Sequence, residues 1–118
     1  MLSLMHEFTI AKNIVDIAEE YARKKGKQKI IRVNLEIGEL SGVILDTLNY
    51  ALETCTENTL LKDAEFDIDN VPATGQCRDC GHGFPLAGPV SACPVCGSYL
   101  FDFRSGRELR IKSLVVES

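Results

Sequence analysis

Two Cys-x-x-Cys pairs, Cys77-Arg78-Asp79-Cys80 and Cys93-Pro94-Val95-Cys96, are the residues of this chain best suited to chemistry. The twelve residues Gly81 to Ala92 separate them. Each pair is a tight turn that aims two sulfurs at one point. Four thiolates complete the closed tetrahedral shell that Zn(II) takes in structural sites, with Zn–S near ~2.3 Å. Gly81 and Gly97, each just after a second cysteine, tolerate the positive φ such a turn needs, and Pro94 pre-sets the second turn. The spacer is shorter than the ~15–20 residues of the commonest two-knuckle pattern, yet it allows a short hairpin. Two disulfides, a redox dithiol or an iron site of rubredoxin type are the other chemistries open to such cysteines. Motif and spacing together favour structural zinc.

The elements that must position these cysteines belong to a small chain. Its 118 residues make one ordinary domain, or one domain carrying a metal-held insertion. Hydrophobic residues make up 45% and charged residues 25%, the balance of a soluble protein with a real core. The formal charge of −4 argues against nucleic acid, whose backbone is gripped by clustered Lys and Arg. No secretory signal is visible and no apolar run approaches the ~20 residues of a membrane span. The expectation is a cytoplasmic protein with no membrane partner, in which paired cysteines are metal ligands rather than disulfides.

Phe8, Ala11, Ile14, Val15, Ala18, Tyr21 and Ala22 recur at helical spacing, so a first helix is expected over Phe8 to Ala22 with Gly26 as its stop. Ile31, Val33, Leu35 and Ile37 alternate with Arg32, Asn34 and Glu36, which predicts a strand with one buried face. A second helix is expected from about Val43 to Glu57. Its apolar stripe includes Cys55, read as a small buried core residue. Ala64 to Val71 and Glu108 to Val116 read as two further strands. The fold class is therefore α/β, with two helices packed on one face of a three-stranded mixed sheet and a four-cysteine, zinc-ribbon-like subdomain inserted between strands. Residues 1–72 and 104–118 would form the α/β domain and 73–103 the zinc-binding subdomain. Phe84, Leu86, Val90, Tyr99 and Phe101 are a thin apolar supply for that insertion, so the metal must contribute much of its folding energy.

Met5-His6-Glu7, ahead of the first helix, offers one imidazole beside flexible backbone nitrogens. Imidazole, amine and deprotonated amide nitrogens form a square-planar set suited to Ni(II) or Cu(II). Taken alone, one histidine near a terminus is a weak signal. His82 is the other imidazole. Four sulfurs already fill the zinc shell, so His82 is read as exposed or lying beside the ligands.

MHEFTIAKNIVDIAEEYA, IRVNLEIGELSGV, the CRDCGH and CPVCGS knuckles and SGRELRIKSLVVES together resemble the HypA (HybF) family of hydrogenase nickel-incorporation proteins. The resemblance covers nearly the whole chain from Met5 onward. It implies a non-enzymatic nickel metallochaperone that delivers Ni(II) to the large subunit of nickel–iron hydrogenase with a nickel-handling GTPase, and in some bacteria serves urease. It further implies that His6 is the essential nickel ligand, that Met5 and Glu7 add backbone nitrogens, and that Cys77, Cys80, Cys93 and Cys96 hold structural Zn(II). The family pattern begins at the Met before the His, whereas Met1-Leu2-Ser3-Leu4 stand ahead of it here. Met5 then carries an amide rather than a terminal amine, so either Met5 is the native start or the nickel shell is modified. A monomer or weak homodimer is expected. The alternatives are a zinc-ribbon nucleic-acid module, which a salt-dependent gel shift would reveal, and a rubredoxin-like electron-transfer protein, which would be red.

Overall fold

The computed structural model describes residues 2–88 and 90–117, with the side chains of residues 2–5 outside the described set. Helix α1 runs Leu2–Lys24, strand β1 Ile30–Gly38, helix α2 Leu45–Cys55 and strand β2 Glu65–Val71. Strands β3 (Thr74–Cys77), β4 (Gly83–Pro85), β5 (Phe101–Ser105) and β6 (Leu109–Val116) follow.

The first sheet has three strands in the order β2-β1-β6. Backbone bonds from Gly38 to Glu108 and from Glu117 to Lys29 make β6 antiparallel to β1. Those from Ile30 to Leu60 and from Glu39 to Val71 make β2 parallel to it. The sheet is therefore mixed, as expected. Val33, Leu35 and Ile37 of β1 are buried, while Arg32, Asn34 and Glu36 alternate on the other face. That second face is polar: Arg32 pairs with Glu65 and Asp67, Asn34 donates to Ser113, and Arg110 pairs with Glu36.

Helix α1 buries Ile10, Ala11, Ile14, Val15, Ala18 and Ala22, and α2 buries Leu48, Ala51 and Leu52. The alanines let the two helices pack together, and Phe8 meets Tyr50 edge-on at 6.0 Å between ring centroids. The solvent side of α1 carries Lys12–Asp16, Glu19–Arg23 and Glu20–Lys24 pairs one helical turn apart. Its end is a Schellman cap: Lys27 N–H reaches Ala22 O, Gly26 N–H reaches Arg23 O, and Gly26 takes φ +71°.

Four expectations change. Ile31, expected on the buried face of β1, is exposed, and Ile30 is buried at that end of the strand instead. Helix α1 begins at Leu2, so Met5-His6-Glu7 lies inside it rather than ahead of it. Leu, Met and Glu are good helix formers, and the apolar-stripe signal does not register a helix that begins before its stripe. Helix α2 starts at Leu45 because Ile44 is extended, with ψ 111°. Cys55 is half-buried rather than a core residue, since it occupies the last turn of α2.

The chain divides into two compact units, one of residues 1–35, 43–68 and 111–118, the other of 36–42 and 69–110. The second holds a sheet in the order β4-β3-β5, antiparallel throughout, where the spacer was read only as long enough for a short hairpin. Its core is small: Ala73, Cys77, Phe84, Leu86 and Cys93 are buried, with Leu40, Phe101 and Phe103 packed on them. Phe84, Phe101 and Phe103 form a chain of edge-to-face contacts, and the Arg107 guanidinium covers Phe103 at 3.5 Å. Val90 and Tyr99 stay in solvent, 77% and 67% exposed, so the apolar supply is thinner than the residue count suggests. Among the described residues, no helix is long and apolar enough to cross a membrane.

Candidate metal centre

The two knuckles fold alike because the same two backbone bonds close each of them. In the first, Gly81 N–H reaches Cys77 O at 2.9 Å and Cys77 N–H reaches His82 O at 2.9 Å. In the second, Gly97 N–H reaches Cys93 O and Cys93 N–H reaches Ser98 O, both at 2.8 Å. Closing so tight a loop forces a left-handed residue after the second cysteine, and Gly81 and Gly97 take φ +80° and +77°. Arg78 adds a cross-tie: its backbone N–H reaches Leu100 O and its guanidinium pairs with Asp102 at 2.8 Å.

This geometry brings Cys77, Cys80, Cys93 and Cys96 together with all four Sγ atoms within 4.8 Å of one another. Cys77 and Cys96 sulfurs are 3.5 Å apart and those of Cys80 and Cys93 3.6 Å. A tetrahedron of sulfurs at about 2.3 Å from one ion has edges of roughly 3.8 Å, so the cluster fits Zn(II). The same separations are far beyond the ~2.05 Å of a disulfide, and all five cysteines are free. Four soft sulfur donors in a closed shell suit zinc, which would act there as a fold-holding ion. His82 is not part of the cluster. It is exposed, stacks on Phe84 with ring planes 5° apart, and takes part through its backbone, accepting the Cys77 N–H and turning its own N–H to the Cys80 sulfur.

The thiols differ in a regular way. The first cysteine of each knuckle is buried and the second exposed. The Cys80 N–H, and then that of Asp79, hold the Cys77 thiol down from its ordinary 9.0 to about 7. Burial pushes Cys93 up, but the N–H groups of Cys96 and Val95 outweigh it and its pKa is lowered. At Cys96 the Ser98 N–H favours the thiolate, yet the neighbouring Cys77 sulfur, burial and the other two thiols push it up to about 12. Cys80 is raised in the same manner against the N–H of His82. Negative charge on one sulfur opposes it on the next, and a divalent cation removes that opposition.

A pH dependence follows. A thiol whose folded pKa is lowered holds its stabilising charge at high pH and loses it as pH falls through that value. Bound zinc lowers it further, so zinc is retained at pH 7 and released on acidification below the metal-free value of about 7 for Cys77. Titration from about pH 8 to about pH 4 with a chromophoric zinc indicator checks this; release that grows on raising the pH would contradict it.

The other predicted site residues sit on the first helix. His6 is exposed on α1, and the side chain of Met5 lies outside the described residues. Glu7 is the residue that sequence reasoning placed least well. Its carboxylate is fully buried, and Oε2 accepts the Ile44 N–H at 2.8 Å at the start of α2. Its helical register on the Ile10–Ile14 side was the available signal, masked by its charge. Glu39, too, uses its carboxylate structurally, accepting the Ala73 N–H at 3.0 Å where β3 begins.

Comparison with known proteins agrees with this architecture. The family model described as "Hydrogenase/urease nickel incorporation, metallochaperone, hypA" matches residues 5–116. The hydrogenase maturation factor HypA of Geobacter metallireducens is 44% identical over 113 residues, 96% of this chain and 100% of that protein. A solution structure of HypA protein superposes with a TM-score of 0.73 at 34% identity, covering 96% of this chain and 97% of the other. The solution structure of the Ni metallochaperone HypA from Helicobacter pylori gives a TM-score of 0.67 at 32% identity, covering 93% and 96%. The chain belongs to the HypA family of nickel-incorporation metallochaperones.

Proposed function

We propose that this protein binds Ni(II) through the His6 imidazole and backbone nitrogens of Met5 and Glu7, and delivers it to the large subunit of nickel–iron hydrogenase. A nickel-handling GTPase would be the partner that supplies nucleotide hydrolysis, and urease accessory proteins a second client. The chain itself would carry and transfer metal in the cytoplasm with no catalysis of its own, as a monomer or weak homodimer. Residues 73–103, held by zinc on Cys77, Cys80, Cys93 and Cys96, would be a subdomain inserted into the α/β domain of 1–72 and 104–118. One observation carries the nickel reading: His6 is solvent-exposed and directly follows Met5, the residue at which the family match opens. A cargo site must be reachable by donor and acceptor, and an exposed imidazole is reachable.

The helix over Leu2–Lys24 adds a physical condition. In a helix each N–H donates to the carbonyl four residues back, and a nitrogen that has lost its proton cannot. Amide ligation at Met5 to Glu7 therefore requires local unwinding. A chain starting at Met5 replaces one of those amides by a free amine, which needs no deprotonated amide there. Nickel titration by calorimetry of two forms, one starting at Met1 and one at Met5, is expected to show tighter binding for the shorter form, by at least about tenfold. Equal affinities would remove the terminal amine from the ligand set.

A further inference from the structure

Glu7 leaves α1 beside His6 but in the opposite sense: the imidazole is exposed and the carboxylate is 0% exposed. A buried carboxylate is retained only where donors replace water. One such donor is the N–H of Ile44, the N-cap of α2, at 2.8 Å. An aliphatic N-cap has no side chain able to satisfy the first orphan amides of its helix, and none does so here. Glu7 thus reaches across from α1 to serve α2, placing negative charge at the positive end of its dipole. Residue 7 is also the inner end of the proposed nickel-binding stretch, so any unwinding that captures metal meets a fixed point there.

We propose that Glu7 is the positioning residue of the nickel site, its carboxylate holding the inner end of the binding stretch on the N-terminus of α2 and coupling metal capture at His6 to Ile44. This rests on the assignment of nickel to His6. Anchoring the Glu7 side chain limits how far along α1 the unwinding at Met5 to Glu7 can spread, which lowers the ordering entropy that metal binding must overcome. Nickel capture is then felt as a shift of the Ile44 amide, which lies on a different element from the ion and is joined to it through one side chain.

The test titrates nickel sulfate into the full, zinc-loaded chain, with calorimetry, amide spectra and melting measured together. Ile44→Pro deletes the donor at a half-exposed position, with φ −90° near what a proline ring holds. Glu7→Gln keeps shape and removes charge. Nickel affinity is expected to fall about tenfold in Ile44→Pro and about threefold in Glu7→Gln, with zinc content unchanged. In the unsubstituted chain the Ile44 amide should shift on nickel addition. A purely structural tie would lower the nickel-free and nickel-bound melting temperatures equally, whereas coupling shrinks the rise that nickel produces. Should Ile44→Pro fail to fold, Glu7→Gln and the Ile44 shift still decide. Nickel binding lost in His6→Ala but unchanged in both other variants, with a silent Ile44 amide, overturns this proposal alone. Binding that survives in His6→Ala overturns the site assignment beneath it.

Discussion

His6→Ala is expected to abolish measurable nickel binding while zinc stays at one ion per chain. The imidazole is the one neutral side-chain nitrogen in the proposed set, and the remaining donors are backbone nitrogens. Those at Met5 to Glu7 lie inside a formed helix, where losing their protons also breaks helical hydrogen bonds. Without an imidazole to hold the ion first, nothing offsets that loss. The affinity should drop by at least about a hundredfold, about 2.7 kcal/mol. Because His6 is exposed, the substitution opens no cavity, so a folding defect is not expected to confuse the reading. Metal analysis of the purified variant after nickel loading and desalting gives both stoichiometries at once. Nickel retained at the unsubstituted level would place the cargo site elsewhere.

Removal of zinc should have the largest structural consequence, and a selective one. Among the described residues, the core of the cysteine-bearing unit has five buried members, two of which belong to the four-cysteine cluster, so the metal shell is part of that small core. Structural zinc in comparably small folds contributes roughly 10–16 kcal/mol of apparent folding free energy. Nothing in β3 to β5 replaces that. Residues 73–103 are expected to unfold on chelation while both helices survive, since α1 and α2 belong to the other compact unit and pack on each other. Circular dichroism is well suited to the question, because neither helix lies in the zinc-bearing segment. The helical ellipticity should change little, while amide protons of Gly75 to Cys77 and Phe101 to Phe103 exchange rapidly. Loss of most of the helical signal would show instead that the metal holds the whole chain together.

Much of this protein was legible in its residue order because local chemistry repeats at short range. Two Cys-x-x-Cys-Gly runs specify two like turns, and Gly81 and Gly97 adopt the left-handed geometry those turns need. The alternation from Arg32 to Ile37 specifies a strand with one wet face, although Ile31 does not follow it, and Gly26 ends α1 as its position implies. The antiparallel strands around the knuckles were missed. They are three to five residues long, too short for a period of two to register, and become strands through pairing with each other.

What the sequence determined alone is therefore the chemistry of its donor groups: four thiols spaced to converge, and one imidazole, His6, the proposed nickel donor. Only the tertiary structure decided what Glu7 does and how the four thiols differ. A carboxylate beside a histidine looks, in one dimension, like part of a metal site or like a charge at the positive end of the first helix. Its burial against Ile44 depends on a second helix that begins far along the chain, at Leu45. The inequality of the cysteines has the same origin, since which sulfur is buried and which amides face it is set by the packing of the knuckles, not by the spacing of the residues within them.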